Sequence, residues 1–343
     1  MGILIVLYEL FFLGVGMKKL IVVFSILAAV TFSVFANGEK DTTGIDWPKK
    51  SINLIVPFAA GGNSDVNART LAKYLTQELR QPVVVTNVAG SGGTIGAAQA
   101  KDAANDGYTV LVHQISMHMA QVSGMVNFGY QDFEPVCVFS RASDEVLLIN
   151  AKQHPDWRTY QDVVNATKKD PGKYRFTANT GASTQWIGIA VQAAGAKFNI
   201  VSSGGSGERL QLILGNHVDV TELNYSQVID YVKNGTLRII ANVSTERSDI
   251  LKDVPTLKEL GVDCGYSYDN TFFMPKGTDK VIVGKFAAAC EKIIKTNTQY
   301  KADLEKLYQT PMYKDPAATE ALYKSQYDAL MAIRDQIRAG IKK

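Results

Sequence analysis

Ile52-Asn53-Leu54-Ile55-Val56-Pro57-Phe58-Ala59-Ala60-Gly61-Gly62-Asn63-Ser64-Asp65 is the stretch that decides the fold. Residues 52–58 are a short apolar run of the length of a buried strand. A glycine turn follows, and Ala68, Leu71, Ala72, Leu75 and Leu79 then recur at helical spacing. Further along, Val83-Val84-Val85 predicts a second strand, a second glycine turn leads into an Ala-rich helix to residue 104, and residues 108–112 predict a third strand. Strand–helix alternation of this kind specifies an α/β fold, a mostly parallel sheet with helices on both faces.

The rhythm continues beyond this unit. Strands are expected at 136–139, 146–150, 174–178, 198–201, 218–221 and 237–242. Helices are expected at 157–167, 183–194, 280–296 and 317–341, the first closed by Asp170-Pro171-Gly172. A length of 343 residues suggests about two domains. No low-complexity tether separates them, the pattern of a chain that crosses between two lobes on adjacent strands.

Composition narrows the function classes. The chain is 46% hydrophobic and 20% charged, in the globular range. Net charge is +3 with no dense basic run, so nucleic acid is not an expected partner. Met17-Lys18-Lys19 precedes an apolar run over 20–35 that ends at Val34-Phe35-Ala36. These are the basic, apolar and small-residue regions of an export signal over 1–36, cleaved after Ala36, with Met17 as a second candidate start. The alternative is an uncleaved membrane anchor. The three cysteines, Cys137, Cys264 and Cys290, are odd in number and show no CxxC, so they read as small buried residues rather than a disulfide or metal framework.

Three strand-to-helix loops carry the chemistry. The first is Pro57 to Asp65, where Ser64 is a candidate N-cap and Asp65 lies in the first helical turn. The second is Asn87-Val88-Ala89-Gly90-Ser91-Gly92-Gly93-Thr94-Ile95-Gly96, and the third Asn179-Thr180-Gly181-Ala182-Ser183-Thr184. Ligands of open α/β sheets bind at the carboxyl ends of strands, so the three loops are expected to converge on one cleft. Ile95 stands where a dinucleotide fingerprint needs glycine, and no GxxxxGK[ST] occurs in the mature chain. None of the loops contains Lys or Arg; phosphate sites usually recruit a cation, whereas neutral donors suit a mono- or dicarboxylate.

Catalysis finds little support. The four histidines are His113, His118, His154 and His217, and neither HExxH nor GxSxG is present. His118 is expected to line the pocket and His113 to pack; His154 reads as a surface loop. An exported hydrolase using Ser116 or Ser183 with His118 is the enzymatic alternative.

Several of these stretches together resemble the substrate-binding proteins of tripartite tricarboxylate transporters, often called Bug receptors. The resemblance rests on Ile55-Val56-Pro57-Phe58-Ala59-Ala60-Gly61-Gly62 with Asp65 and Arg69, Gln81-Pro82-Val83-Val84-Val85, and Asn87 with Gly90-Ser91-Gly92-Gly93 and Gly96. Asp106-Gly107-Tyr108-Thr109, Arg247, and Val254-Pro255-Thr256-Leu257 with Glu259 and Gly261 extend it to nearly the whole mature chain. It implies a two-lobed, type II-like periplasmic binding fold whose lobes close on a ligand. Lobe one would comprise 47–148 plus 270–343, and lobe two 149–269. The implied function is capture of a small organic carboxylate by a periplasmic monomer that delivers it to membrane permease subunits, with no cofactor, metal or catalysis. A carboxylate sensor for a membrane kinase is the other reading. The resemblance places a ligand carboxylate on the first two loops, the third loop gripping from the other lobe. The candidate ligand-binding residues are Phe58, Ala60, Gly61, Gly62, Asn63, Ser64 and Asp65; Gly90, Ser91 and Gly92; Ser116; and Thr180, Gly181, Ser183, Thr184 and Ser203. Ser202-Ser203-Gly204-Gly205-Ser206 departs from the family, which often carries an aromatic and a basic residue there.

Overall fold

In the first sheet, β1 (Ile52–Val56) pairs in parallel with both β2 (Val83–Asn87) and β3 (Thr109–His113). Helices α1 (Asn63–Leu79) and α2 (Thr94–Lys101) lie in the connections. Ile52, Leu54, Ile55 and Val56 are all buried, as a strand covered on both faces requires. Beyond β3 the sheet turns antiparallel: β10 (Asp269–Pro275) pairs with β3 and with β4 (Phe133–Ala142), and β11 (Gln309–Lys314) closes the edge on β4. The order is β11-β4-β10-β3-β1-β2.

The second sheet has the order β7-β6-β8-β5-β9. Its strands are β5 (Glu145–Asn150), β6 (Arg175–Asn179), β7 (Asn199–Ser203), β8 (Val220–Asn224) and β9 (Leu237–Asn242). β6 is parallel to β7 and β8, whereas β5 is antiparallel to β8 and β9. Both sheets are therefore mixed, where the rhythm alone predicts mostly parallel ones. The antiparallel strands β4, β5, β9 and β10 flank the two crossings between sheets.

The computed structural model describes residues 44–142, 144–247 and 250–341. The expected export signal over 1–36 lies outside them. From Trp47 onward the chain is one compact unit. Among the described residues no helix is long and apolar enough to cross a membrane. The chain changes sheet between Ala142 and Glu145, so residues 145–148, read from sequence with the first lobe, pair in the second sheet.

The helices needed for the site follow from local signals. α3 (Ser116–Ser123) follows β3, and α4 (Tyr160–Lys169) is started by a capping box in which Thr159 and Asp162 satisfy each other's backbone N–H. α5 (Ser183–Ala193), α6 (Ser206–Leu214) and α7 (Tyr225–Lys233) follow β6, β7 and β8, and α8 (Lys280–Thr296) and α9 (Thr298–Lys306) precede β11. The long C-terminal helix expected over 317–341 is broken into α10 (Pro316–Ala332) and α11 (Arg334–Ile341). The break lets Leu330 and Ile337 join an apolar core with Ile115, Met119 of α3, and Phe176, Ile187 and Val220 around the second sheet.

Candidate functional site

The first loop is tied down before any ligand arrives. Asp65 is 2% exposed and lies beneath the loop. It accepts hydrogen bonds from Gly61 N (2.9 Å), Arg69 Nε (3.0 Å) and Asn87 Nδ2 (2.8 Å). Arg69 and Asn87 bond to each other as well (2.8 Å), and Asn87 donates to Phe58 O (3.1 Å). Burial would raise the Asp65 pKa, but the Gly61 N–H, Arg69 and Asn87 together hold it below the ordinary value. The resemblance set Asp65 among the ligand contacts, whereas the residue by itself reads as a side chain that caps its own loop. The structure places it in that capping role and extends it to a clamp between the first and second loops.

A cavity of about 150 Å³ lies between the two sheets' loops. Of the expected contacts, Phe58, Ala60, Gly62, Asn63, Ser64, Ser116, Ser183 and Thr184 line it. Three helices begin at its wall: α1 behind Gly62, α5 behind Ala182 and α6 behind Gly205, each with an extended residue at the cap. First-turn N–H groups and the positive helix ends therefore face one small space, a geometry that attracts anions.

The remaining expected contacts lie elsewhere. Gly61 is exposed and donates its N–H to Asp65. Gly90, Ser91 and Gly92 do not line the cavity; Gly92 abuts the third loop instead, so the second loop meets the other lobe directly. Thr180 bonds through its hydroxyl to Ser202 (2.8 Å), and Gly181 donates to Gln185 (2.7 Å). Ser203 ends β7 outside the cavity, and the α6 start at Ser206 takes its place.

Among the described residues no Ser–His pair forms. Ser116 Oγ donates to Ser183 Oγ (3.4 Å) and accepts from Ser183 N (3.0 Å) and Gln114 Nε2 (2.9 Å), which stitches the lobes together. His118 is fully buried among Tyr130, Tyr323 and Tyr327, with ring centroids 4.9–5.9 Å apart, rather than lining the pocket. Burial pushes its pKa down to about 3 and that of His113 to about 4. His113 packs edge-on against Phe58 (5.6 Å). His154, read as a surface residue, is stacked on Trp157 (3.7 Å) and bonded to Asp219 (2.8 Å). All three cysteines are buried and free.

Every charged residue of the cavity is one that sequence reading missed. Glu145, Glu222 and Arg209 line the cavity and are 4%, 1% and 6% exposed. Register brings the acids together: Glu145 pairs with Asn224 and Leu147 with Glu222, so the two acids share one face of the sheet on a diagonal. Burial, then the neighbouring Glu222, hold the Glu145 pKa well above the ordinary carboxylate value. Arg209 lies 3.4 Å from Glu222 and donates to the carbonyls of Glu222 (3.2 Å) and Gly204 (3.3 Å). Gln114, Asn224 and Tyr268 also line the wall, Tyr268 bonding to Ser64 (3.3 Å). One signal was available: Val220-Thr221-Glu222-Leu223-Asn224 sets an acid inside a strand whose neighbours demand burial.

Residues 67–337 match the family described as the tripartite tricarboxylate transporter family receptor. Protein BugT of Bordetella pertussis is 34% identical over 274 residues, covering 78% of this chain and 82% of that protein. A solved structure described as a periplasmic transporter superposes with a TM-score of 0.77 at 29% identity, over 84% of this chain and 97% of the other. That of the periplasmic binding protein BugD has a TM-score of 0.77 at 25% identity, over 85% and 98% of the two chains. Both solved structures share the two-lobed fold seen here. The chain belongs to the tripartite tricarboxylate transporter receptor family.

Proposed function

We propose that this chain is an extracytoplasmic solute-binding protein that holds a small organic carboxylate between its lobes, unchanged, and presents it to membrane permease subunits. The observation that carries this reading is the convergence of the α1, α5 and α6 N-termini on one cavity between the lobes. The wall contributed by the first lobe has no charged side chain, so its grip on an anion comes from N–H groups and hydroxyls. In this reading lobe one carries β1 to β4, β10 and β11, lobe two carries β5 to β9, and the two crossings are the hinge. The bidentate Arg141–Asp269 pair (2.6 and 2.9 Å) joins β4 to β10 beside them. Export across the cytoplasmic membrane follows from the segment over 1–36.

A thermal-shift screen of mono-, di- and tricarboxylates tests this. A ligand at about 100 times its Kd stabilises the folded chain by about 2.7 kcal/mol. Stabilisation by one or more acids is expected. No response to any acid, with clear stabilisation by sugars or metal cations, sinks the reading.

A further inference from the structure

The cavity's charge is lopsided. Every charged side chain that lines it comes from the second lobe: Glu145, Glu208, Glu222 and Arg209, three acids against one base. Glu208 is exposed and accepts the Gly204 N–H (3.0 Å). Glu145 and Glu222 are buried against each other, their carboxyls hydrogen-bonded, and each has one weak donor besides that neighbour. Glu145 accepts from the Asn224 amide at 3.3 Å, and Glu222 from Arg209 at 3.4 Å, both at the long end of hydrogen bonding. Arg209, with Nη2 on Glu222 and Nε and Nη1 on backbone carbonyls, is one positive charge against two carboxyls.

An independent feature points the same way. Gln227, on the same wall, turns its amide nitrogen to Ser206 (3.1 Å) and leaves its buried Oε1 with no donor among the described residues. Beside the α5 and α6 N-termini and Arg209, this side of the cavity thus turns two carboxyl groups and an amide carbonyl toward a ligand cation. The opposite side offers the α1 N-terminus and no charge. A dicarboxylate held by α1 would lay its second charge against Glu145 and Glu222, a like-charge contact that specific sites exclude. A molecule with a carboxylate at one end and an ammonium at the other satisfies both walls.

We infer that this cleft selects aminocarboxylates, the ammonium group facing Glu145 and Glu222, which makes these two acids the residues that set specificity. The inference rests on the proposed function and names the ligand class within it. The raised pKa of Glu145 fits a cation-seeking pair: without a ligand cation the two carboxyls ionise together only with difficulty.

The test is isothermal titration of the full mature chain with matched pairs: 4-aminobutanoate against succinate, 5-aminopentanoate against glutarate, and aspartate against succinate. The aminated member of at least one pair is expected to bind about ten- to a hundredfold more tightly. Glu145→Gln and Glu222→Gln are expected to shrink that ratio about tenfold or more and to improve dicarboxylate binding. The wild-type ratios decide the matter even where a variant folds poorly. Dicarboxylates binding as tightly as their aminated partners, or ratios unchanged in both folded variants, overturn this inference alone. Binding of no acid of either kind overturns it together with the proposed function.

Discussion

The two lobes meet backbone to backbone at Gly92, and that contact can be turned into a wedge. A Cβ at Gly92 would sit 2.5 Å from the Thr180 carbonyl oxygen, 3.0 Å from Gly181 C and 3.2 Å from Ala182 N. All three are backbone atoms of the opposite lobe, so no side chain can swing aside. Ordinary contact begins near 3.4 Å, so the loops must part by about 0.9 Å, and opening the cleft is the relief available. Gly92→Ala also pays for a φ of +66°, a strain of about 1–2 kcal/mol present whether the cleft is open or closed. The clash exists only when it is closed. Overpacking of this kind costs about 1–3 kcal/mol, which disfavours the closed form and weakens ligand binding about 5- to 150-fold. Gly172→Ala is the control: its φ is +77° with nothing within 4 Å, so it carries the strain without the wedge. Calorimetric titration with whichever acid the screen selects, together with urea melts and small-angle scattering, reads all three effects. Both variants should lose similar stability, and Gly92→Ala alone should lose affinity and stay expanded with ligand present. Equal, wild-type affinity in the two variants would refute the reasoning.

Three further outcomes follow from the same geometry. Gly62→Val places branched carbons where a Cβ already meets Ala59 O at 3.3 Å and Ser206 Oγ at 3.5 Å, at the cavity wall; titration should find binding crippled and circular dichroism the fold retained, and an unchanged affinity would remove the first loop from the site. Asp65→Ala strands the Gly61 N–H, Arg69 and Asn87, so urea unfolding should lose about 2–4 kcal/mol and binding should weaken as the first loop loosens; a loss under half a kilocalorie, on the order of a surface change, would contradict the clamp. Glu145 has a folded pKa above its unfolded one, so its contribution is fully present below about pH 4.5 and is lost as pH rises toward the folded pKa. Glu145→Gln should therefore gain melting temperature relative to wild type as pH rises from 4.5 to 7.5. His113 and His118, with depressed pKa values of about 4 and about 3, have the opposite sign, losing stability as pH falls below about 6.5, but they act on both chains alike. A gap that stays flat with pH would mean that Glu145 ionises freely in the fold.

Much of this molecule was legible in its chain. The unit over residues 52–112 was readable because a parallel strand, its turn and its helix are each specified by neighbours within a few positions. The first loop and the α5 start reach the cavity as expected, since a strand's carboxyl end and the next helix's N-terminus are adjacent in sequence by construction. The second loop reads just as glycine-rich, yet it touches the third loop, because which side of the cleft a loop faces depends on the packing of the lobes. Asp65 reads as the cap of its own loop, but its second tie, to Asn87 at the end of the next strand, is set by the pairing of β1 with β2.

Sequence alone therefore determined the strand–helix alternation, the family and the neutral loops of the cleft, all of which are properties of short contiguous segments. The charge of the cavity was decided by tertiary structure. Glu145 and Glu222 are far apart along the chain and meet because β5 lies antiparallel to β8 in a register that sets Leu147 opposite Glu222. A shift of one residue would turn one acid to the other face of the sheet and leave the cleft as neutral as its loops suggest.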